Sequence, residues 1–143
     1  MKKIHTLFLF LFFLSCGTAS YSQHNPVSFQ TSTHGDTLVF DAHIESGWHL
    51  YAANLPDPTG GPLPTEIVYD DPAPELIGGI LEPKGHVEMD ESFGVEVKYF
   101  ENKTYYKQVL ASTAKEHITG TIYYMVCNDE MCIPLEYKFS VNP

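Results

Sequence analysis

The chain of 143 residues contains no arginine. Its eight basic residues are all lysine and stand against 18 acidic ones, for a net charge of −10. Nucleic acid and anionic lipid are held by basic patches that face phosphate, so this composition argues against both as partners. Acidity of this degree either keeps the protein soluble or favours a basic face on a protein partner. Apolar runs of spanning length are missing too. The longest, Ile4–Leu14, has about 11 residues where a membrane helix needs roughly 20. Cysteine is scarce, at Cys16, Cys127 and Cys132. No stretch keeps a helical period, and no repeat, low-complexity tract or linker breaks the chain after Gln23.

What is present at the start has the layout of a secretory leader: Lys2 and Lys3, the apolar Ile4–Leu14, then small and polar residues from Ser15 to Gln23. Ser20 and Ser22 put small residues where a signal peptidase reads, so residues 1–22 are expected to be removed before Gln23. Lipidation at Cys16 is the alternative, but Phe13 and Leu14 fit a lipobox poorly. The expected product, residues 23–143, is one exported domain, monomeric and without a transmembrane segment. It carries six lysines against the same 18 acids, a net −12. It also keeps an even pair of cysteines, suited to an oxidising compartment.

The remaining pattern is β. Leu38, Phe40, Ala42 and Ile44 alternate with Val39, Asp41, His43 and Glu45. Val27–Ser32, Thr65–Tyr69, Glu75–Ile80, Val95–Phe100, Tyr105–Ser112, Thr119–Cys127 and Ile133–Val141 also read as strands, separated by turns such as His34-Gly35-Asp36 and Glu101-Asn102-Lys103. Seven or eight short strands predict an all-β fold, an immunoglobulin-like sandwich or a barrel. The acidic stretch Leu81–Gly94 reads as a long irregular loop, either functional or merely surface.

Cys127 and Cys132 enclose four residues at the tip of a predicted C-terminal hairpin. Opposing the two cysteines places Val126 against Ile133, Tyr124 against Leu135 and Ile122 against Tyr137, all on one face. Thr121–Lys138, Tyr123–Glu136, Met125–Pro134 and the cysteines take the other face, away from the main core. A structural staple is one reading, but a bridge closing so short a loop contributes only about 2 kcal/mol. A copper(I) site is a second, since Met125, Cys127, Met131 and Cys132 are soft ligands. It fits less well, because Met131 falls in the loop and no histidine is in the motif. A reversible dithiol at an accessible tip is the third.

Four stretches in order carry a family resemblance: Gly47-Trp48-His49-Leu50-Tyr51, Gly61-Pro62-Leu63-Pro64-Thr65, Asp90-Glu91-Ser92-Phe93-Gly94, and Tyr124-Met125-Val126-Cys127 through Cys132-Ile133-Pro134. Together they resemble the periplasmic N-terminal domain of DsbD-type thiol:disulfide interchange proteins, over nearly the whole mature chain. The resemblance implies an immunoglobulin-like sandwich, a redox cysteine pair on a hairpin and an aromatic cap over it. It implies thiol:disulfide oxidoreductase chemistry without a cofactor or metal. Cys132 would form the mixed disulfide with a partner and Cys127 would resolve it. Phe93 is the better cap, with Ser92 at the matching position in the other register. The best-known members have one more residue between the cysteines, and a second proline where Leu135 stands here. They also continue into a membrane domain and a thioredoxin domain, whereas this chain stops at Pro143. The expected donor and acceptor are therefore separate thioredoxin-like proteins, exported or membrane-anchored.

Asp129 and Glu130 beside the pair disfavour a thiolate, so these thiols are expected to be slow nucleophiles that a partner's activated cysteine attacks. Trp48 and Tyr51 either line the cysteine pocket or pack in the core. Asp90 and Glu91 either tune the pair or are solvated acids, and His49 is either a proton donor or a surface histidine. Asn102-Lys103-Thr104 is a glycosylation acceptor only in a eukaryotic secretory setting, which the leader and the resemblance oppose. The competing class is an exported binding module whose disulfide only locks a hairpin.

Overall fold

The computed structural model describes residues 24–57, 59–111 and 117–142. The leader, its cleavage before Gln23, Cys16 and the strand end at Ser112 lie outside the described residues. Within them there are ten strands and no helix, so no helix there is long and apolar enough to cross a membrane. The strands are β1 (Val27–His34), β2 (Thr37–Ile44), β3 (His49–Tyr51), β4 (Glu66–Tyr69), β5 (Leu76–Leu81), β6 (His86–Asp90), β7 (Val95–Glu101), β8 (Lys103–Leu110), β9 (Ile118–Cys127) and β10 (Cys132–Val141).

Two antiparallel sheets form the sandwich. One has the order β1-β2-β8-β5; the other runs β10-β9-β3-β7-β6, with β4 also paired to β9. Period-two alternation turns Leu38, Phe40, Ala42 and Ile44 of β2 inward, where they meet Ile122, Tyr124 and Val126 of β9 in one buried core. Aromatic contacts tie the sheets together: the Phe29 and Tyr124 ring centroids are 5.1 Å apart, and those of Phe40 and Phe139 are 4.9 Å apart. Each such side chain contributes roughly 1.5–3 kcal/mol when fully buried.

Two expectations need correction. Leu81–Gly94 is not an irregular loop throughout, because His86–Asp90 forms β6 and pairs with β7. Four of its five residues are exposed, so no apolar alternation announced the strand. The short β3, only three residues long, was also not foreseen.

Glu82, between β5 and β6, is a buried carboxylate. It accepts from Lys98 Nζ at 2.8 Å and from the backbone N–H groups of Ala53 (2.8 Å) and Asn54 (3.2 Å). Its side chain is 3% exposed. The group thereby fixes the chain as it leaves β3. At the other sheet margin, β10 has only β9 beside it, and Pro134 sits opposite Met125. Proline cannot donate to a ladder, so its nitrogen belongs on the free side of that edge strand.

Candidate functional site

The β9–β10 hairpin has the register expected from sequence, with Cys127 opposite Cys132, Val126 opposite Ile133 and Tyr124 opposite Leu135. The cysteines are disulfide-bonded, with Cα atoms 4.1 Å apart. Asn128 closes the tip: its Oδ1 accepts from the N–H of Glu130 (2.9 Å) and Met131 (2.8 Å), and its own N–H donates to the Met131 carbonyl at 2.9 Å. This is the local turn chemistry that asparagine supplies.

Residues opposite one another in an antiparallel pair share a face. Cys127 therefore shares its face with His49, its neighbour on β3, and with Tyr51 two residues further. On β7, Glu101 and Tyr99 stand opposite His49 and Tyr51, and on β6 His86, Glu88 and Asp90 stand opposite Tyr99, Val97 and Val95. This face carries a second, smaller apolar cluster of Tyr51, Val97 and Cys127, against which Leu55, Phe93, Val95, Tyr99 and Met125 pack. The cysteines do lie away from the main core, but the tip is not uniformly accessible. Cys127 is only 2% exposed, whereas Cys132 is exposed.

Phe93 reaches the cluster from the β6–β7 turn and meets the Tyr51 ring edge-on, centroids 6.3 Å apart. Asp90 builds that turn. Its Oδ1 accepts from Ser92 N (2.8 Å) and Phe93 N (3.2 Å), while its carbonyl accepts from Gly94 N (2.7 Å). Gly94 has φ +73°, a conformation that favours glycine. The Tyr51 hydroxyl donates to Asp90 Oδ2 at 3.3 Å. From inside, the Tyr51 carbonyl accepts from Thr65 Oγ1 (2.6 Å) and from the Tyr106 hydroxyl (3.2 Å).

Of the residues singled out in sequence, Cys127, Tyr51, Phe93 and Asp90 come together. Ser92 is an exposed residue of the same turn, as is Glu91. Trp48 does not join them: it packs against the main core, beside the His24 ring. Strand alternation explains this, since Trp48 and Leu50 are an odd number of residues from Tyr51. His49 is half-buried against Tyr51 and Tyr99 rather than free on the surface. Val97, Tyr99 and Leu55 were not anticipated, although the alternation Val95, Val97, Tyr99 marks one face of β7.

Burial, followed by the neighbouring charges, sets the titration of this face. Desolvation and then the Asp90 carboxylate raise the Tyr51 phenol far above its usual range. Burial, with Glu88 as hydrogen-bond partner and charge, pushes Tyr99 up to about 12. Both remain phenols at neutral pH. Desolvation lowers His49 below 6.5, against the opposing pull of Asp90, Glu101, Glu88 and Asp129. Beside the hairpin, Leu63, Pro64, Tyr123, Pro134 and Leu135 line an open groove of about 500 Å³. Leu63 and Tyr123 are exposed there.

The model of the family described as thiol:disulfide interchange protein DsbD, N-terminal, matches residues 19–142. No curated protein matches the chain. Among solved structures, the chain is similar to the DsbD N-terminal domain of Neisseria meningitidis in its reduced form. That pair has 21% identity and a TM-score of 0.63, with 82% of this chain and 86% of the other covered. It is also similar to a complex of the DsbD and PilB N-terminal domains from the same organism (20% identity, TM-score 0.59, 80% of each chain covered). A further likeness is to the N-terminal periplasmic domain of ScsB from Proteus mirabilis, at 13% identity and TM-score 0.54. It covers 81% of this chain and 44% of that one.

Proposed function

Because this chain belongs to the DsbD N-terminal domain family, we propose that Cys127 and Cys132 form a reversible disulfide that passes electrons between thioredoxin-like proteins in the periplasm. The observation that carries this reading is the asymmetry of the pair, one cysteine enclosed and one exposed, at the tip of a hairpin. Thiol–disulfide exchange requires access to the sulfur attacked. A partner thiolate attacks Cys132, the Cys127–Cys132 bond breaks and Cys127 leaves into the apolar cluster. The partner's second thiol then displaces Cys132, leaving the dithiol here and a disulfide on the partner. The reverse sequence hands two electrons to the acceptor as the disulfide re-forms. The staple reading has less support, since so short a loop contributes only about 2 kcal/mol. The solved DsbD–PilB complex supports a domain of this family docking with another protein. The open groove beside Pro134 offers apolar surface for that contact. Export through residues 1–22 belongs to the same reading, and intact mass of the mature protein checks it: a chain starting at Gln23 is expected, and a lipid on Cys16 would replace it with an anchored form.

The direct test mixes the oxidised protein with a reduced thioredoxin-like donor and follows both thiol states to equilibrium. Transfer of two electrons per molecule is expected. A pair that stays oxidised against every such donor would leave only the binding module.

In this account Phe93 shields the pair, and Asp90 holds the shield in place. Phe93→Ala should speed reduction by dithiothreitol several-fold, because access limits exchange. Stopped-flow fluorescence or thiol alkylation measures it. An unchanged rate in a folded variant would remove the cap.

A further inference from the structure

One group on the cysteine face has chemistry that the exchange scheme has not used. His49 stands directly across from Cys127 in the β3–β9 pairing. Directly opposed residues have Cβ atoms about 4.5–5.5 Å apart, which brings the His49 side chain within reach of the thiol that the scheme buries. Resting on the electron-transfer reading above, we propose that His49 is the proton acceptor for Cys127 when that thiol attacks Cys132 in a mixed disulfide.

The hydrogen bonds fix the ring for this task. The single proton of the Tyr51 hydroxyl goes to Asp90 Oδ2, so the Tyr51 oxygen is left as an acceptor for His49 Nε2 at 3.3 Å. A neutral ring then carries its proton on Nε2 and its lone pair on Nδ1. The Tyr51 ring meets the imidazole edge-on, centroids 5.2 Å apart, and Tyr99 lies at 4.9 Å. The charged and titratable groups facing it are Tyr51 on its own strand, Tyr99 and Glu101 on β7, Glu88 and Asp90 on β6, Asp129 at the tip, and Cys127 on β9. His86 stacks on the far side of Tyr99. Burial outweighs the four carboxylates and keeps His49 below its ordinary value. The ring is thus an unprotonated base at neutral pH. Cys127, enclosed in an apolar cluster, needs such a base, because burial disfavours its thiolate.

The step balances. Nδ1 takes the Cys127 proton, the Cys127 sulfur bonds to the Cys132 sulfur, and the Cys132–partner S–S bond breaks. The partner's sulfur leaves as thiolate with the electron pair. In the reducing direction the imidazolium returns the proton to Cys127 as it leaves Cys132.

The test uses glutathione as the probe. A Cys132–glutathione mixed disulfide is formed at pH 4, confirmed by peptide mass, and glutathione release is followed after a jump to pH 6–9. With His49 as base, release in the wild type should vary little between pH 7 and 8, since the imidazole is already neutral there and takes the proton from the thiol directly. In His49→Gln, release at pH 7 should be about 100-fold slower, the size of a general-base contribution. It should also rise about tenfold per pH unit, as the thiolate fraction alone does. Equal rates and equal profiles in a folded variant would overturn the role. If His49→Gln does not fold, the wild-type ring decides by NMR: its titration should shift between the oxidised and reduced protein, and identical titrations would overturn it. No partner protein takes part. A protein that closes its disulfide through His49 but exchanges with no thioredoxin-like donor would sink the electron-transfer reading and leave this role standing.

Discussion

Cys127→Ser should accumulate a long-lived mixed disulfide with a thioredoxin-like partner through Cys132, while Cys132→Ser accumulates at least tenfold less. Both variants should lose two-electron transfer altogether. In Cys127→Ser the exposed cysteine still meets the partner, but the thiol that would expel it is gone. In Cys132→Ser the surviving cysteine is the enclosed one, 2% exposed in a cluster with Tyr51 and Val97 against which Phe93 packs. An attacking sulfur must reach its target in line, so enclosure suppresses adducts by limiting access. Non-reducing electrophoresis of exported extracts, with mass identification of the adducts, reads the difference. The opposite order of trapping would reverse the roles of the two cysteines and keep electron transfer. No adduct in either variant would remove electron transfer from the account.

Glu82→Ala should destabilise the domain by about 3–5 kcal/mol, the cost of leaving one member of a buried ion pair alone. The corresponding fall in melting temperature is on the order of 10–20 °C. Lys98 is not the only group orphaned, because the Ala53 and Asn54 N–H groups also lose their acceptor. Lys98→Met should therefore cost less than Glu82→Ala, since it leaves those two bonds in place. Thermal unfolding of the three proteins settles the ranking. A loss below about 1 kcal/mol in Glu82→Ala would mean that the pair behaves as a solvated surface contact. Because Ala53 follows β3 by two residues, loosening here should also disturb Tyr51 and speed reduction of the disulfide.

The hairpin was legible from sequence because the runs Ile122/Tyr124/Val126 and Ile133/Leu135/Tyr137, set around opposed cysteines, share one face, and a one-residue slip would mix the faces. The stretch Asp90–Gly94 was legible only through the family resemblance it carries, not through its turn chemistry. The strand before that turn was not. His86, Val87, Glu88 and Met89 are all exposed, and an edge strand with neither face buried leaves no period to read. The three-residue β3 falls below the length at which alternation differs from chance. Its consequence, His49 against Cys127, is a cross-strand neighbourhood fixed only when the sheet assembles. Trp48 took the other of its two readings: beside site residues in sequence, it packs against the main core. The Glu82–Lys98 pair was hidden because an acid in an acidic stretch carries no mark of burial.

Pro134 bears on how the protein avoids itself. The free edge of β10 offers a row of donors and acceptors to any extended chain, and such edges seed self-association. A proline two residues past Cys132 removes one donor from that row. An incoming strand would meet a gap two residues from Cys132, the exposed cysteine among the described residues. The same residue that lines the groove beside the hairpin thus weakens strand pairing along that edge between copies of the chain.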